Sequence, residues 1–156
     1  ALPLQTHTDL PKPVIRRLVE MKLHAVGLRA AADLFLRVLS GGMARRVARA
    51  RALALDPPLM IYDEPLTALH PIASGVIMSL ISRLNDSLGL TSIIVTHHVH
   101  ETLPVADRAI VIANGRIVFS GTPAELEGTS DPLVLQFLRG EPDGPIAFDS
   151  AAREAA

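Results

Sequence analysis

Residues 59–95 constrain the fold of this chain more than any other segment. The apolar run at 59–62 predicts a buried strand. Apolar residues then recur on one helical stripe from residue 72 to residue 88, and Gly89 follows as a stop signal. The β-branched run at 92–95 predicts a second strand. Because a strand, a helix and a strand in this order form a parallel unit with a crossover, the sequence predicts an α/β fold with a βαβ core.

Helices are predicted on the N-terminal side of this core. Apolar residues recur at helical spacing from residue 14 to residue 25, and Gly27 ends the pattern. Strong helix formers fill residues 43–55, after the glycine-rich segment 39–42. The prolines that follow Asp56 end that helix, because proline lacks the amide donor and restricts the residue before it.

A β-hairpin and short helices are predicted on the C-terminal side. Two apolar segments, 108–113 and 116–120, flank Asn114-Gly115, and both central residues of a type I′ hairpin turn need positive φ. Residues 122–125 have the pattern of a helix-capping box. An amphipathic helix is predicted over 131–138, followed by an extended tail.

Composition limits the classes of function. The chain has 156 residues, of which 49% are hydrophobic and 20% charged, so it can bury a core. Its net charge is -1, which excludes a globally basic nucleic-acid binder. The absence of cysteine excludes disulfides, thiolate metal sites and cysteine nucleophiles. No apolar run approaches the about 20 residues of a membrane-spanning helix.

Asp63 and Glu64 stand directly after the first predicted strand of the βαβ unit. Ligands of open α/β sheets bind at the carboxyl ends of the strands, so these carboxylates are candidates for chemistry. One can hold Mg²⁺, and the other can orient or deprotonate a water molecule. The alternative is a strand end that simply meets solvent.

His97 follows the second strand, so we expect it at the same sheet edge as the two carboxylates. Its imidazole can donate a hydrogen bond to a phosphate oxygen, although a histidine at a strand end is more often structural.

Ser40-Gly41-Gly42 opens a helix, where two glycines and a hydroxyl group can bind an anion such as a phosphate. The alternative there is an ordinary helix entry.

The order and spacing of these motifs resemble the nucleotide-binding domain of ABC transporters. Residues 39–43, LSGGM, resemble the LSGGQ signature, and residues 59–64 resemble Walker B with its catalytic glutamate. Residues 65–71 resemble the D-loop, and 95–97 the switch-histidine loop. With Ala44-Arg45-Arg46 and the segment 131–148, the chain most resembles the ATPase of bacterial phospholipid transporters that maintain outer-membrane lipid asymmetry.

The resemblance implies ATP and Mg²⁺ as cofactors and a division of roles. Ser40, Gly41 and Gly42 would contact ATP held by a second, head-to-tail ATPase subunit. Asp63 would support Mg²⁺, while Glu64 and His97 would be catalytic, acting on the attacking water and the γ-phosphate. Further implied partners are a transmembrane permease and a small regulatory subunit. The implied location is cytoplasmic, peripheral on the bacterial inner membrane.

The departures from the family pattern define which part of the domain this chain resembles. Neither lysine follows a glycine, so no Walker A loop is present in these residues. His70 and His98 stand where the family often has Asp. His70 lies in the D-loop region, which would contact the nucleotide.

We therefore expect the C-terminal portion of a P-loop ABC-type domain over residues 1–140. Its expected parts are a helical signature subdomain at about 9–56, catalytic strands and switch region at about 57–121, C-terminal helices at about 122–140, and an extended tail at 141–156.

Three functions are compatible with these residues. The first is an ABC-type ATPase subunit, inactive as this chain alone, that serves phospholipid transport. The second is a non-catalytic half-domain that docks on a permease or on a complete ATPase subunit. The third, a nucleic-acid binder using arginines 45, 46, 49 and 51, is disfavoured because no aromatic residue interleaves them. A zinc site at His97-His98-x-His100 is also disfavoured, because we identify no cysteine or acidic co-ligand at matching spacing.

Overall fold

The computed structural model describes residues 1–146. Its helices are α1 (Leu2–His7), α2 (Lys12–Ala25), α3 (Gly41–Ala52), α4 (Pro71–Leu88), α5 (Val99–Thr102), α6 (Pro123–Glu127) and α7 (Pro132–Arg139). Its strands are β1 (Leu59–Asp63), β2 (Thr91–Val95), β3 (Ala109–Ala113) and β4 (Arg116–Gly121). The chain divides into two compact units, the first ending at Val95 and the second beginning at Thr96. None of the helices in the described part of the chain combines the length and the apolar character needed to cross a membrane.

The predicted βαβ unit is confirmed in the first unit. β1 and β2 pair in parallel, with Leu59 opposite Thr91 and Asp63 opposite Val95. α4 connects them and ends at Gly89, whose φ of 61° is the left-handed conformation that glycine adopts most readily. The main core lies between this helix and the sheet, and it includes Met60, Tyr62, Ile77, Leu80, Ile81 and Leu84.

The exposure of β1 differs from the buried strand that the sequence predicted, and β2 shows the same one-sided pattern. The exposed fraction is 62% for Ile61 and 48% for Ile93, which lie opposite each other in the register. Met60 and Tyr62, which point to the other face, are 6% and 5% exposed. The reason is that, within the described first unit, α4 covers only one face of the two-stranded sheet.

The helices before the sheet depart from the predicted bounds at their ends. α3 begins at Gly41 because the Ser40 hydroxyl caps it by accepting the Met43 N–H at 3.3 Å. A 3₁₀ turn at Leu53–Leu55 replaces the predicted last helical turn before the prolines. α1 was not predicted, and it buries Leu4 in a small cluster with Ile15 and Ala54.

A buried cation anchors α2 to the turn that follows α3. Lys22 is 9% exposed, and its ammonium forms an ion pair with the carboxylate of Asp56. Asp56 adopts a left-handed conformation with φ of 49°, which ends the 3₁₀ turn and directs the chain into β1. The ion pair thus links the helical region to the start of the sheet.

The second unit contains the predicted hairpin and capping box. β3 and β4 pair antiparallel, and Asn114 and Gly115 both have positive φ, at 51° and 71°. Thr122 Oγ1 accepts the Glu125 N–H at 3.2 Å, and Glu125 Oε2 accepts the Thr122 N–H at 2.7 Å. The backbone hydrogen bond from Thr122 lowers the pKa of Glu125.

A glutamine holds the segment that follows α7. Gln136 is 6% exposed, and its Oε1 accepts the Ile146 N–H at 2.7 Å while its Nε2 donates to the Ile146 carbonyl at 2.9 Å. Gly144 passes so close that an added Cβ would lie 2.5 Å from Gln136 Cδ. We refer to residues 141–146 as the strap. The predicted tail is described only this far, and residues 147–156 lie outside the described residues.

We predict that Gly144→Ala destabilises the chain by about 1–3 kcal/mol, because the new methyl group overlaps the Gln136 side chain. Combining it with Gln136→Ala should remove most of that cost, since the group that clashes is then absent. The two single variants and the double variant are compared by urea unfolding. Additive costs in the double variant would contradict the packing of the strap on Gln136.

Candidate functional site

The sheet edge at the end of β1 carries the two predicted carboxylates. Asp63 is the last residue of the strand, and its side chain is exposed. Glu64 is partly buried and adopts a left-handed conformation with φ of 43°. Its N–H donates to the Val95 carbonyl at 2.8 Å, which extends the contact with β2 by one residue. A non-glycine residue in this conformation costs about 1–2 kcal/mol, so the surrounding contacts must hold it.

The segment after Glu64 supplies those contacts. The Thr67 N–H donates to the Glu64 carbonyl at 3.3 Å, and the Thr67 hydroxyl lies 3.5 Å from Glu64 Oε2. Leu66 is fully buried in the main core. The buried leucine and the turn contacts therefore fix the direction in which the chain leaves β1, and with it the position of Glu64.

His70 has a structural role at the end of this segment. It is the N-cap residue of α4, where its Nδ1 accepts the Ala73 N–H at 3.4 Å. An accepting Nδ1 places the proton of the neutral ring on Nε2, which then faces outward as a donor. Where an aspartate would present a second acceptor oxygen, His70 therefore presents an N–H.

Ser40, Gly41 and Gly42 form the exposed beginning of α3. The Ser40 Oγ accepts a hydrogen bond from the helix, so its O–H is left as a donor. A Cβ added at either glycine would meet nothing within 4 Å among the described residues. Close packing inside the chain therefore does not require these glycines, and they leave backbone N–H groups accessible at a helix N-terminus.

A groove of about 360 Å³ lies beside the two carboxylates. Its polar lining consists of Arg45, Arg49, Tyr62, Asp63, Glu64 and Thr67. The structure therefore brings the two carboxylates at the end of β1 together with side chains of α3. Ser40 and His70 are not among the described residues that line it.

Arg49 is the buried member of the arginine cluster at residues 45, 46, 49 and 51. It is only 9% exposed, and burial lowers the pKa of its guanidinium. Its Nη1 has no hydrogen-bond partner among the described residues. Burial also raises the pKa of the Tyr62 phenol, which lines the same groove. No local signal in the sequence indicated this burial, because it depends on how α3 packs beside β1.

His97 belongs to the second unit and is exposed. Its ring lies 4.3 Å from the ring of His98, measured between centroids, with an angle of 34° between the planes. The His98 N–H donates to the Thr96 hydroxyl at 3.0 Å. The expected position of His97 at the same edge as Asp63 and Glu64 stays a prediction.

Comparisons with known proteins agree with these motifs. The sequence family described as ABC transporter matches residues 6–67. The intermembrane phospholipid transport system ATP-binding protein MlaF of Haemophilus influenzae is 53% identical over 99% of this chain. MlaF of Escherichia coli is 51% identical over 95% of it. A solved structure of cbiO1 from Clostridium perfringens, part of the ABC transporter complex cbiONQ, covers 86% of the chain with a TM-score of 0.75 and 31% identity.

The chain is similar to ATP-binding proteins of the ABC transporter family, and its fold matches a mixed α/β part of their ATPase domain. Among them it is similar to the two MlaF proteins throughout the aligned length. It spans about half the length of these relatives, 58% of the first and 55% of the second. It likewise covers 54% of the cbiO1 chain.

We predict that His70→Ala lowers the free energy of unfolding by about 0.5–1 kcal/mol, because α4 loses its N-cap acceptor. His70→Asp should match or exceed the original stability, since a carboxylate is a better cap and is favoured by the helix dipole. Urea unfolding measures both variants, with His100→Ala as the control at another exposed histidine. Equal stability of His70→Ala and the original chain would show that the cap contributes nothing.

Proposed function

We propose that this chain is part of the ATP-hydrolysing subunit of an ABC transporter that moves phospholipid across the bacterial envelope. The observation that carries the proposal is the pair of carboxylates at the end of β1, with Asp63 exposed and Glu64 held in a left-handed turn by its hydrogen bond to Val95. The phospholipid assignment rests on the names of the MlaF relatives.

Asp63 suits a magnesium ion. It is an exposed carboxylate at the carboxyl end of a parallel strand, and Mg²⁺ is bound through one or two carboxylates together with substrate phosphates. When bound, the ion would neutralise charge on the phosphate oxygens. Asp63 would hold it, and the neighbouring Glu64 would then be left for a separate role.

Glu64 is the candidate general base. Its carboxylate would orient and polarise the water that attacks the γ-phosphate of ATP, a role in which positioning and charge matter more than covalent chemistry. The buried Leu66 and the turn at Thr67 support the fixed position that this role requires. His97 would contact the γ-phosphate as a hydrogen-bond donor.

Ser40, Gly41 and Gly42 would act on ATP held by a second ATPase subunit. The free O–H of Ser40 and the accessible N–H groups of α3 are donors, and the helix N-terminus carries a partial positive charge. In this proposal two subunits pair head to tail and bind a permease at the cytoplasmic face of the inner membrane. A small regulatory subunit is a further proposed partner.

A non-catalytic half-domain is the second candidate function. The observation that favours it is His70, which presents an N–H where the family often has a carboxylate. Such a module would bind a permease or a complete ATPase subunit without ATP. Copurification with either partner in nucleotide-free buffer, with no turnover by the resulting complex, would support this candidate against the first.

We predict that Glu64→Gln in the complete subunit lowers ATP turnover by about 10²–10⁴-fold, because the amide cannot act as a base. ATP binding should be retained, since the amide keeps the shape of the side chain. Phosphate release and nucleotide binding are measured in parallel, with Glu127→Gln as the control at an exposed glutamate of α6. Normal turnover by Glu64→Gln would remove this residue from its proposed role.

We also predict that the 156 residues alone turn over ATP at least about 100-fold more slowly than the complete subunit, because no lysine here can hold the phosphates in a Walker A loop. Phosphate release by the purified chain measures this rate. Turnover that matches the complete subunit and is lost in Glu64→Gln would contradict the prediction.

A further inference from the structure

The face of the β1–β2 sheet that points away from α4 carries an exposed apolar strip. Its members are Leu59, Ile61, Ile93 and Val95, which are 43%, 62%, 48% and 50% exposed. They lie on one face because Ile61 is opposite Ile93 in the register and side chains alternate along each strand. Parallel sheets occur almost only with both faces covered. We name these four residues the apolar strip, and its exposure marks a face that needs a covering layer.

The strand β1 also has an open edge. Among the described residues of the first unit, the sheet consists of β1 and β2 alone, so the far edge of β1 meets no other strand. Such an edge presents unpaired N–H and C=O groups that can pair with an added strand. Natural edge strands are protected by charges or prolines, and residues 59–62 contain neither. The sequence of β1 is therefore that of an interior strand.

The groove beside the two carboxylates follows this open edge. Consecutive residues of β1, from Met60 to Asp63, all line it. Because consecutive side chains point to opposite faces, a groove that contacts all of them runs along the edge of the strand and not along one face. The other wall is a single face of α3, formed by Arg45, Ala48, Arg49 and Ala52. The small alanine side chains leave space beside β1 for an extended backbone.

Arg49 shows which chemistry the groove lacks. Its side chain is 9% exposed, and its Nη1 has no hydrogen-bond partner among the described residues. A buried charge is costly unless it is paired, so this guanidinium calls for an acceptor oxygen. A segment lying in the groove would bring backbone carbonyls, and an acidic side chain on it would bring a carboxylate.

The length of the relatives indicates where such a segment comes from. The chain spans 58% and 55% of the two MlaF proteins and 54% of the cbiO1 chain, so nearly half of each relative has no counterpart among these residues. A covering layer and an added strand together require a substantial length of chain. The remaining part of a longer subunit supplies that length, and it would be held next to the surface by the covalent chain.

We propose that the apolar strip and the groove form one docking surface for the rest of the ATPase subunit. An extended segment pairs with the open edge of β1 in the groove and gives Arg49 an acceptor, while an apolar layer covers the strip. The inference rests on the proposed function, because it takes these residues as part of a longer ATPase subunit. Docking itself requires neither ATP nor catalysis.

The covering of the strip is tested by thiol labelling. These residues contain no cysteine, so Ile61→Cys and Ile93→Cys each introduce a single thiol. Each is labelled with a maleimide in the 156-residue chain and in the complete subunit, with any cysteine elsewhere replaced by serine. Labelling should be at least about tenfold slower in the complete subunit, because a buried thiol reacts only through local opening. Asp86→Cys, at an exposed position of α4, is the control and should react equally in both. Circular dichroism checks that each variant keeps its helices.

The acceptor for Arg49 is tested by Arg49→Met in the same two proteins. In the 156-residue chain, the urea midpoint should stay the same or rise, because an unpaired buried charge is removed. In the complete subunit the midpoint should fall, because the variant leaves the acceptor without its partner. Arg51→Met, at an exposed arginine of the same helix, is the control. An equal shift of the midpoint in both proteins would contradict the proposed acceptor.

The labelling experiment separates the docking surface from its alternatives. Equal labelling of Ile61→Cys in the two proteins would overturn the surface. Slow labelling of the 156-residue chain, at concentrations where it sediments as a dimer, would assign the strip to a second copy and overturn the proposed occupant.

ATP turnover of the complete Asp86→Cys subunit, measured in parallel, separates the surface from the proposed function. Protection of Ile61→Cys without turnover would uphold the docking surface and contradict the ATPase role. Turnover without protection would uphold the ATPase role and contradict the docking surface.

Discussion

The parallel pairing of β1 and β2 is the constraint on which the rest of the first unit depends. It requires a crossover, which α4 provides, and the crossover brings an apolar stripe onto the face that carries Met60 and Tyr62. The same pairing determines where β1 ends, because the Glu64 N–H makes its last hydrogen bond to Val95. The position of the candidate site is thus a consequence of strand register and not of the loop alone.

Two adjacent carboxylates can differ in chemistry only if the chain separates their environments. The left-handed conformation of Glu64 does this, since it turns the chain directly after Asp63. Its free-energy cost is offset by the burial of Leu66, which anchors the turn in the main core. The strained backbone of Glu64 and the burial of Leu66 therefore belong to the same turn, and each depends on the other.

Much of the fold was predictable because its signals are local. Gly89, the Asn114-Gly115 pair and the capping box at Thr122 each act within a few residues, and each has the predicted structure. The apolar stripe of α4 was equally clear. These elements have strong local preferences that tertiary contacts reinforce, so sequence and structure agree on them.

The features that were missed depend on contacts between distant residues. α1 is held by Leu4 against Ile15 and Ala54, which nothing in the first seven residues indicates. The burial of Arg49 depends on how closely α3 packs beside β1. The pair of Asp63 and Glu64 was predicted as a candidate site, but the conformation that separates them was not, because it follows from the bond to Val95.

His70 bears most directly on the choice between a catalytic and a non-catalytic domain. An N-cap needs an acceptor, and histidine supplies one through Nδ1 while its other nitrogen faces outward as a donor. Histidine in place of aspartate therefore preserves the geometry of the loop and the start of α4. It changes the group that a neighbouring molecule would meet from a negatively charged hydrogen-bond acceptor to an N–H donor. The cap at His70, the buried Leu66 and the left-handed conformation of Glu64 together fix the loop. A fixed loop of this kind is what the proposed role of Glu64 requires, and His70 alone does not remove it.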